Sequence, residues 1–232
     1  MGRRTRNERR FSGRREVAVG LGVYALYLLA SRRKRGEAGQ LQAARNAERV
    51  VALERRLGVH VEPQLQELVL PYRRLLGVLN VAYVVSNAAL TVGWLMHLYR
   101  RRHPQFHRFR RAAVLTTLAC QPVFHFFPCA PPRSLDHFVD TIADVSGIDL
   151  DTGPVAQLYD PLAAMPSIHV AYAVVTAAGV AAASDRPALR ALAPAYPPLV
   201  AAVVFVTANH YVLDAVAGAA VAGAALRLSR TK

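Results

Sequence analysis

The apolar residues of this chain come in long blocks, and this arrangement limits its fold more than any other feature of the sequence. Hydrophobic residues make up 53% of the 232 residues, and charged residues are concentrated in the connections between the blocks. A run of about 20 apolar residues can cross a bilayer as a helix, whose backbone hydrogen bonds are satisfied internally. The sequence therefore predicts an all-α fold, a polytopic transmembrane helical bundle.

Six apolar segments predict about six spans within a single integral membrane domain at residues 17–232. They cover residues 17–30, 75–99, 112–127, 164–183, 191–208 and 210–228. The first segment forms about 21 Å of helix, which is short for a bilayer, so we expect its flanking arginines to extend to the interface. In the last segment Ala215, Ala219 and Gly223 form a row of small residues, which predicts close packing against a neighbouring helix.

Two parts of the chain outside these segments have distinct compositions. Residues 1–16 carry seven arginines and are predicted to be a basic cytoplasmic tail. Residues 36–74 are predicted to be an amphipathic surface segment, because apolar residues recur there at steps of three and four: Ala43, Ala47, Val50, Leu53 and Leu57. We expect this helix to lie on the membrane and to end at Gly58 and Pro63.

The charge distribution predicts the side of the membrane that each connection occupies. Residues 100–111 hold six arginines and no acidic residue, which places them in the cytoplasm, whereas residues 128–163 hold six aspartates and one arginine and belong outside. Both termini are then cytoplasmic, although the basic cluster at 32–35 falls outside if the first segment crosses. We expect an integral protein of a bacterial plasma membrane.

A net charge of +14 is compatible with nucleic acid binding, but the positions of the arginines favour a different partner. They lie in the tail and in the connections between apolar segments, where they can contact anionic lipid headgroups. The predicted partners are therefore membrane lipids and no nucleic acid.

His210 and Asp214 lie four residues apart in a run otherwise made of small and aliphatic residues. In a helix this spacing puts both on one face, within hydrogen-bonding reach. Ionisable groups in a membrane segment are energetically costly, which indicates a functional site. His169 begins another apolar segment and Arg133 follows a third, and the predicted topology brings all of these positions to the outer face.

This set of residues suits attack on a phosphorus centre. Asp214 can fix the tautomer of His210 and stabilise its positive charge, which leaves the other ring nitrogen free to attack. Arg133 offers a cationic fork for phosphate oxygens. The segment 165–169 places Pro166 near the first position of a helix and Ser167 where it can cap that helix, so the free backbone N–H groups of the helix start can bind an anion. His169 can then protonate the leaving alkoxide.

Other interpretations of the same residues remain open at this point. The His210–Asp214 pair can be purely structural or can relay protons in a non-catalytic transporter, and Arg133 can anchor the chain at the interface. His169 can simply cap its helix. A zinc site is a further alternative for two histidines and an aspartate, although their spacing matches no recognisable metal motif.

Three motifs resemble those of the type 2 phosphatidic acid phosphatase superfamily: A-P-P-R at 130–133, A-A-M-P-S-I-H-V-A-Y-A at 163–173 and T-A-N-H-Y-V-L-D-A-V-A-G at 207–218. Their form is most similar to the inositolphosphotransferase branch, which includes inositol phosphorylceramide synthase. The similarity covers residues 75–228, and E-R-R-L-G-V at 54–59 also fits bacterial members.

The resemblance implies a helical core like that of phosphatidic acid phosphatases and haloperoxidases. It also implies a phosphohistidine on His210, orientation by Asp214, leaving-group protonation by His169 and phosphate binding by Arg133. It implies no metal and no cofactor.

The chain departs from the phosphatase pattern at several positions. Phe126 stands where that pattern has Lys, Ser134 where it has Pro, Ile168 where Gly is usual, and 203–204 where a Ser-Arg pair is expected. Two cations that usually hold phosphate are thus absent, and we expect Ser167 and Asn209 to assist Arg133.

The sequence therefore predicts a membrane-embedded phosphotransferase that acts on a phospholipid or lipid-linked phosphoester. A lipid phosphate phosphatase with the same mechanism and water as acceptor is the alternative.

Overall fold

The computed structural model describes residues 11–32, 36–150 and 159–230. The helices are α1 (Gly13–Arg32), α2 (Glu37–Leu57), α3 (Glu62–Val69), α4 (Arg73–Arg100), α5 (Phe106–Phe126), α6 (Thr141–Ser146), α7 (Ile168–Ala183), α8 (Pro187–Leu192), α9 (Tyr196–Val206) and α10 (Val212–Leu228), with 3-10 turns at Pro132–Ser134 and Ala193–Ala195. The extended pairing in this part of the chain is one isolated bridge, Cys129–Ala163. The predicted all-α class is confirmed.

Each predicted apolar segment coincides with a helix or a pair of helices, but several boundaries differ. Helix α1 begins at Gly13, inside the expected basic tail, whose residues 1–10 lie outside the described part of the chain. Helix α5 begins at Phe106, because the arginine-rich stretch before residue 112 is already helical. Helix α7 begins four residues later than predicted, since Ser167 caps it.

Helix α7 lies at the centre of the bundle and packs against α4, α5, α9 and α10. Its buried positions are mostly small or β-branched, as are those of α10, so the two backbones approach closely. Close packing through the row Ala215, Ala219 and Gly223 was predicted, but no neighbouring atom lies within 4 Å of the position that a Cβ would take at Gly223, so this row is wrong in detail. The buried face of α10 instead follows alternating steps of three and four: Ala215, Gly218, Ala222 and Ala225.

The number of helices that can cross a membrane stays a prediction. By length and composition the stretch Pro187–Val206, which includes α8 and α9, qualifies as a span. The two halves of α4, Arg73–Val84 and Ala89–Arg100, meet at a bend of 48° and form a second candidate if they act as one span. Ile168–Ala183 is apolar but shorter. These findings do not establish six spans.

Large apolar side chains are exposed along the outside of the bundle. They include Leu21 of α1, Val78 of α4, Leu199 of α9 and Val216 of α10, each at least 60% exposed. Exposed aliphatic side chains on four helices are compatible with contact with lipid.

The two ends of the bundle differ in composition. The end formed by the α4–α5 connection, the α7–α8 turn and the end of α10 carries arginines, two of which form the ion pairs Arg101–Asp185 and Arg110–Glu16. We call this the arginine end. The opposite end is formed by the start of α7, the end of α9 and the start of α10, and it carries the predicted motifs. We call it the site end.

Helix α2 covers the site end. It forms where the apolar periodicity predicts a helix, and Gly58 ends it in the left-handed conformation (φ 70°). Its apolar residues Ala43, Ala47 and Val50 pack against the loops that carry the motifs, and the Asn46 amide donates to the Pro128 carbonyl. The protein thus covers Ala43, Ala47 and Val50 of the predicted face, whereas Leu53 and Leu57 of the same face are exposed, and contact of this helix with the membrane stays a prediction.

Candidate active site

His210 lies in the short connection between α9 and α10. The chain leaves α9 at Val206 and turns through Ala208, which is left-handed (φ 51°), and the Val204 carbonyl accepts from the backbone N–H groups of both Asn209 and His210. Helix α10 begins only at Val212. The prediction that His210 and Asp214 share one helical face is therefore wrong, since His210 precedes the helix.

Asp214 nevertheless reaches His210, because it occupies the third position of α10 and folds back over the helix start. Its Oδ2 accepts from the backbone N–H of Tyr211 at 3.0 Å, and His210 Nδ1 lies 3.3 Å from the same oxygen. Such a capping box fixes both the carboxylate and the preceding backbone. Asp214 is fully buried.

The two ring nitrogens of His210 have different partners. Nδ1 lies 2.9 Å from the Ala164 carbonyl oxygen as well as beside Asp214, while Nε2 lies 3.2 Å from Nδ1 of His169. Two acceptors at Nδ1 favour the tautomer that carries its proton there. The lone pair of Nε2 then points toward His169, and His210 is only 4% exposed.

His169 is held at the start of α7 by its neighbours. The Ser167 hydroxyl caps the helix by accepting from Val170 N at 3.3 Å, while Pro166 precedes the cap rather than occupying the first helical position. Tyr83 of α4 stacks on the His169 ring with centroids 4.3 Å apart. The ring is thereby oriented toward His210.

Helices α7 and α10 are joined directly at the site. The backbone N–H of Ser167 donates to the Asp214 carbonyl at 2.9 Å. Gly218, one turn further along α10, allows this approach, because a Cβ at that position would overlap the Ser167 carbonyl oxygen. The glycine is thus required by the spacing of the two helices.

Arg133 is buried beside the residues that precede His210. Its backbone N–H donates to the Ala208 carbonyl at 2.7 Å, its Nε donates to Asn209 Oδ1 at 3.2 Å, and its Nη1 donates to Asp140 Oδ2 at 2.9 Å. Asn209 in turn donates to Thr207. In this structure Asn209 therefore orients the guanidinium, while Ser167 caps α7.

Glu54 and Glu62 close the start of α10 from the outside. Glu54 Oε1 accepts from Leu213 N at 2.8 Å and Glu62 Oε1 accepts from Val212 N at 2.6 Å. Carboxylates suit a helix start, where backbone N–H groups lack partners within the helix. Burial raises the pKa of Glu54 to about 8, with a further contribution from the nearby Glu62 carboxylate.

The histidines and the aspartate of the motifs do not converge on one point that an ion could occupy. His210 directs Nδ1 toward Asp214 and Nε2 toward His169, so its partners lie on opposite sides of its ring. Among the described residues, a different group has potential metal-ligand atoms that all lie within 4.8 Å of one another. Its members are Glu54, His60 and Glu62.

The structure brings together His210, Asp214, His169 and Ser167, with Arg133 and Asn209 held beside them. Asp140, Tyr83 and Glu62 were not foreseen as part of this arrangement. Asp140 follows Arg133 by seven residues in a loop that also holds Asp136. Its position in the sequence only weakly indicates that it pairs with Arg133. Glu54 and Glu62 flank the break at Gly58, but their positions in the sequence do not indicate that they accept from the start of α10.

Comparison with known proteins gives one match. The model of the PAP2 superfamily matches residues 48–228, from the middle of α2 to the end of α10, and this stretch contains all of the site residues described above. A search of curated proteins finds no match, and neither does a search of solved structures.

Proposed function

The chain belongs to the PAP2 superfamily, whose members are generally phosphatases or phosphotransferases of phosphorylated lipids, and we propose that it is a membrane-embedded phosphotransferase resembling inositolphosphotransferases. Its substrate is a lipid-linked phosphoester, and its reaction passes through a phosphohistidine on His210. The observation that carries this proposal is the position of His210 between Asp214 at Nδ1 and His169 at Nε2.

In the first half-reaction Nε2 of His210 attacks phosphorus and the bond to the leaving alcohol breaks. Asp214 and the Ala164 carbonyl stabilise the proton on Nδ1 as the ring becomes cationic. His169 donates its proton to the leaving oxygen as general acid. The products are the alcohol and a phosphorylated His210.

The phosphate oxygens require positive charge or hydrogen-bond donors. Arg133 supplies a guanidinium whose orientation is fixed by Asn209 and Asp140, and the first turn of α7 supplies backbone N–H groups. The first turn of α10 is less suited to this role, because Glu54 and Glu62 already accept from its N–H groups. We therefore assign phosphate binding to Arg133 and α7, with Ser167 and Asn209 as supporting residues.

In the second half-reaction an acceptor hydroxyl attacks the phosphorus of the phosphohistidine, the bond between phosphorus and Nε2 of His210 breaks, and His169, now the base, removes the proton of that hydroxyl. An alcohol gives a phosphotransferase, and water gives a lipid phosphate phosphatase. Membership of the superfamily supports both, so the phosphatase is the second candidate. The form of the three motifs favours transfer.

The site is proposed to face the extracytoplasmic side. The α4–α5 connection at the arginine end holds six arginines and no acidic residue over 100–111, and the positive-inside rule assigns such a connection to the cytoplasm. The site end, with its aspartate-rich loop, then opens outside the cell.

The decisive experiment measures both half-reactions in purified protein. Lipid phosphates and phosphoinositides are offered in detergent with EDTA, with and without candidate acceptor alcohols, and released and transferred phosphate are followed. Replacing His210 by Ala should lower turnover by about four orders of magnitude or more, the scale usual for a covalent nucleophile. An acid-labile phosphoryl group should be trapped on the wild type and absent from this variant.

A matched control is available at the arginine end. His97 is exposed there, so His97→Ala should keep wild-type turnover. If His210→Ala keeps most of the rate while remaining folded, the nucleophile assignment is wrong. Transfer to alcohol in excess of hydrolysis identifies a phosphotransferase, and phosphate release that no alcohol diverts identifies a phosphatase.

A further inference from the structure

A second group of ionisable side chains lies at the site end, outside the proposed reaction. Glu54, at the end of α2, and Glu62, at the start of α3, are fully buried, and His60 lies in the turn between the two helices. His60 Nδ1 is 3.3 Å from Glu54 Oε2 and 3.1 Å from Glu62 Oε2. One ring nitrogen thus faces two carboxylate oxygens.

Hydrogen bonding within the group is incomplete. A single ring N–H can donate well to only one of the two carboxylates. Glu62 Oε2 and His60 Nε2 are both buried and have no hydrogen-bond partner in the described residues. Two carboxyl groups buried beside each other also repel when both are ionised, so a cation bound between them would stabilise the doubly ionised form.

We propose that Glu54, His60 and Glu62 bind a divalent transition-metal ion of the Zn²⁺ type. Tetrahedral zinc sites with bonds of about 2.0–2.2 Å hold their ligand atoms about 3.3–3.6 Å apart. The two distances from His60 Nδ1 are close to that range, and all three ligand atoms lie within 4.8 Å of one another. An imidazole with two carboxylates suits zinc and its neighbours in the first transition row.

The outer contacts of the ligands fit this assignment. The second oxygen of each glutamate is held by a backbone N–H of α10, from Leu213 for Glu54 and from Val212 for Glu62. Such contacts orient metal ligands and fix the direction of the remaining lone pairs. The donors come from the helix start and not from other side chains, so the ligand oxygens stay directed at His60.

Of the three proposed ligands, His60 lines a cavity at the surface. A cavity of about 560 Å³ lies beside His60 and is lined by polar residues that include Arg55, Gln64, Glu67 and His137. Water from this cavity can occupy the remaining coordination position. The ion would join the α2–α3 turn to the first turn of α10, which carries Asp214, so its role is to brace the helix start and not to bind phosphate.

The test is metal binding by untagged, full-length protein in detergent. After EDTA treatment and its removal, Zn²⁺ is added and the ion retained through gel filtration is measured, with Co²⁺ absorption as a report of coordination geometry. We expect about one ion per chain, a higher melting temperature with Zn²⁺, and tetrahedral Co²⁺ bands. His60→Ala and Glu62→Gln should each weaken binding more than tenfold and lose the Zn²⁺-dependent rise in melting temperature.

Two controls distinguish binding at these three ligands from binding elsewhere on the chain. His137→Ala removes an imidazole from the same cavity without removing a ligand, so it should bind Zn²⁺ like the wild type. His210→Ala should also bind normally, so the metal result is independent of the proposed reaction. Wild-type protein that retains no ion overturns the proposal, and so does equal retention by His60→Ala and Glu62→Gln.

Discussion

The two nitrogens of the His210 ring face chemically different groups, and this difference fits the roles proposed for them. Nδ1 meets the oxygens of Ala164 and Asp214, which stabilise a proton, whereas Nε2 meets the nitrogen of His169. An attacking imidazole needs a bare nitrogen on one side and a stabilised proton on the other. The arrangement meets both requirements.

Replacing His169 by Ala should slow turnover according to the leaving group. General acid catalysis contributes about 10²–10⁴ in rate when the departing oxygen is strongly basic. The loss should therefore be greatest with alkyl phosphoesters and smallest with aryl phosphoesters, whose alcohols are weak bases. Turnover measured over a series of leaving groups checks this, and an equal loss for all of them would contradict the acid role.

Replacing Arg133 by Lys should weaken phosphate binding although the charge is kept. An ammonium cannot reproduce the planar donor pattern that contacts Asn209 and Asp140. We expect KM to rise about tenfold to a hundredfold, the equivalent of one charge-assisted hydrogen bond of about 1.5–3 kcal/mol. Steady-state kinetics measures this, with Arg186→Lys in the exposed α7–α8 turn as control. An unchanged KM would remove Arg133 from the phosphate site.

At the scale of residues, sequence spacing indicated the pairing of His210 with Asp214 but not its geometry. The four-residue interval suggested a helical face, whereas the contact depends on a capping box that forms because the helix starts after His210. Asp140 and Glu62 could not be predicted from local pattern. Glu62 contacts Val212 from 150 positions away, and only tertiary packing creates that contact.

At the scale of elements, the close packing of α7 and α10 depends on Gly218. In Gly218→Ala the new Cβ would overlap the Ser167 carbonyl, which belongs to backbone and cannot rotate away. Overpacking of this kind costs roughly 1–3 kcal/mol. We expect a lower melting temperature in detergent and a loss of turnover, because the shift separates His169 from His210.

Gly223→Ala provides the matched control on the same helix. The space around Gly223 is open, so an added methyl group meets nothing within 4 Å. Since alanine favours helix by up to about 1 kcal/mol over glycine, stability should be unchanged or slightly higher. Equal destabilisation by both substitutions would show that the contact with Ser167 is not what makes Gly218 necessary.

The element pattern was predictable where periodicity was strong. The apolar repeat from Ala43 to Leu57 predicted a helix, which the structure begins earlier, at Glu37, and the breaks at Gly58 and Pro63 mark its end and the next helix start. Periodicity reveals that a helix has an apolar face but does not identify what covers that face. Here the loops at 128–130 and 162–164 cover Ala43, Ala47 and Val50, while Leu53 and Leu57 stay exposed.

At the scale of the whole molecule, the proposed orientation predicts which residues are accessible from outside a cell. Glu67 is exposed at the site end and Arg186 at the arginine end, while the native cysteines Cys120 and Cys129 are buried. A membrane-impermeant maleimide should label Glu67→Cys in intact cells and Arg186→Cys only after permeabilisation. The reverse pattern would place the site in the cytoplasm.

The membrane character follows from composition, but the number of spans does not. Apolar blocks and exposed aliphatic side chains both indicate contact with lipid. Charged residues within or beside several helices, such as Glu16 in α1 and Arg108 in α5, weaken the hydropathy signal that defines a span. Both residues lie near the arginine end, where long polar side chains can reach the interface.

The backbone hydrogen bond between Ser167 and Asp214 has a consequence for any mutational study of this protein. It joins the segment that carries His169, the proposed proton donor, to the segment that carries Asp214, so a small slide of one helix along the other would misalign the proposed reacting groups even when none of them is altered. We therefore expect turnover to fall also in variants with distant substitutions that shift either helix. A loss of activity in a variant therefore identifies a catalytic residue only when the reaction rate and the folded state of that variant are measured on the same preparation.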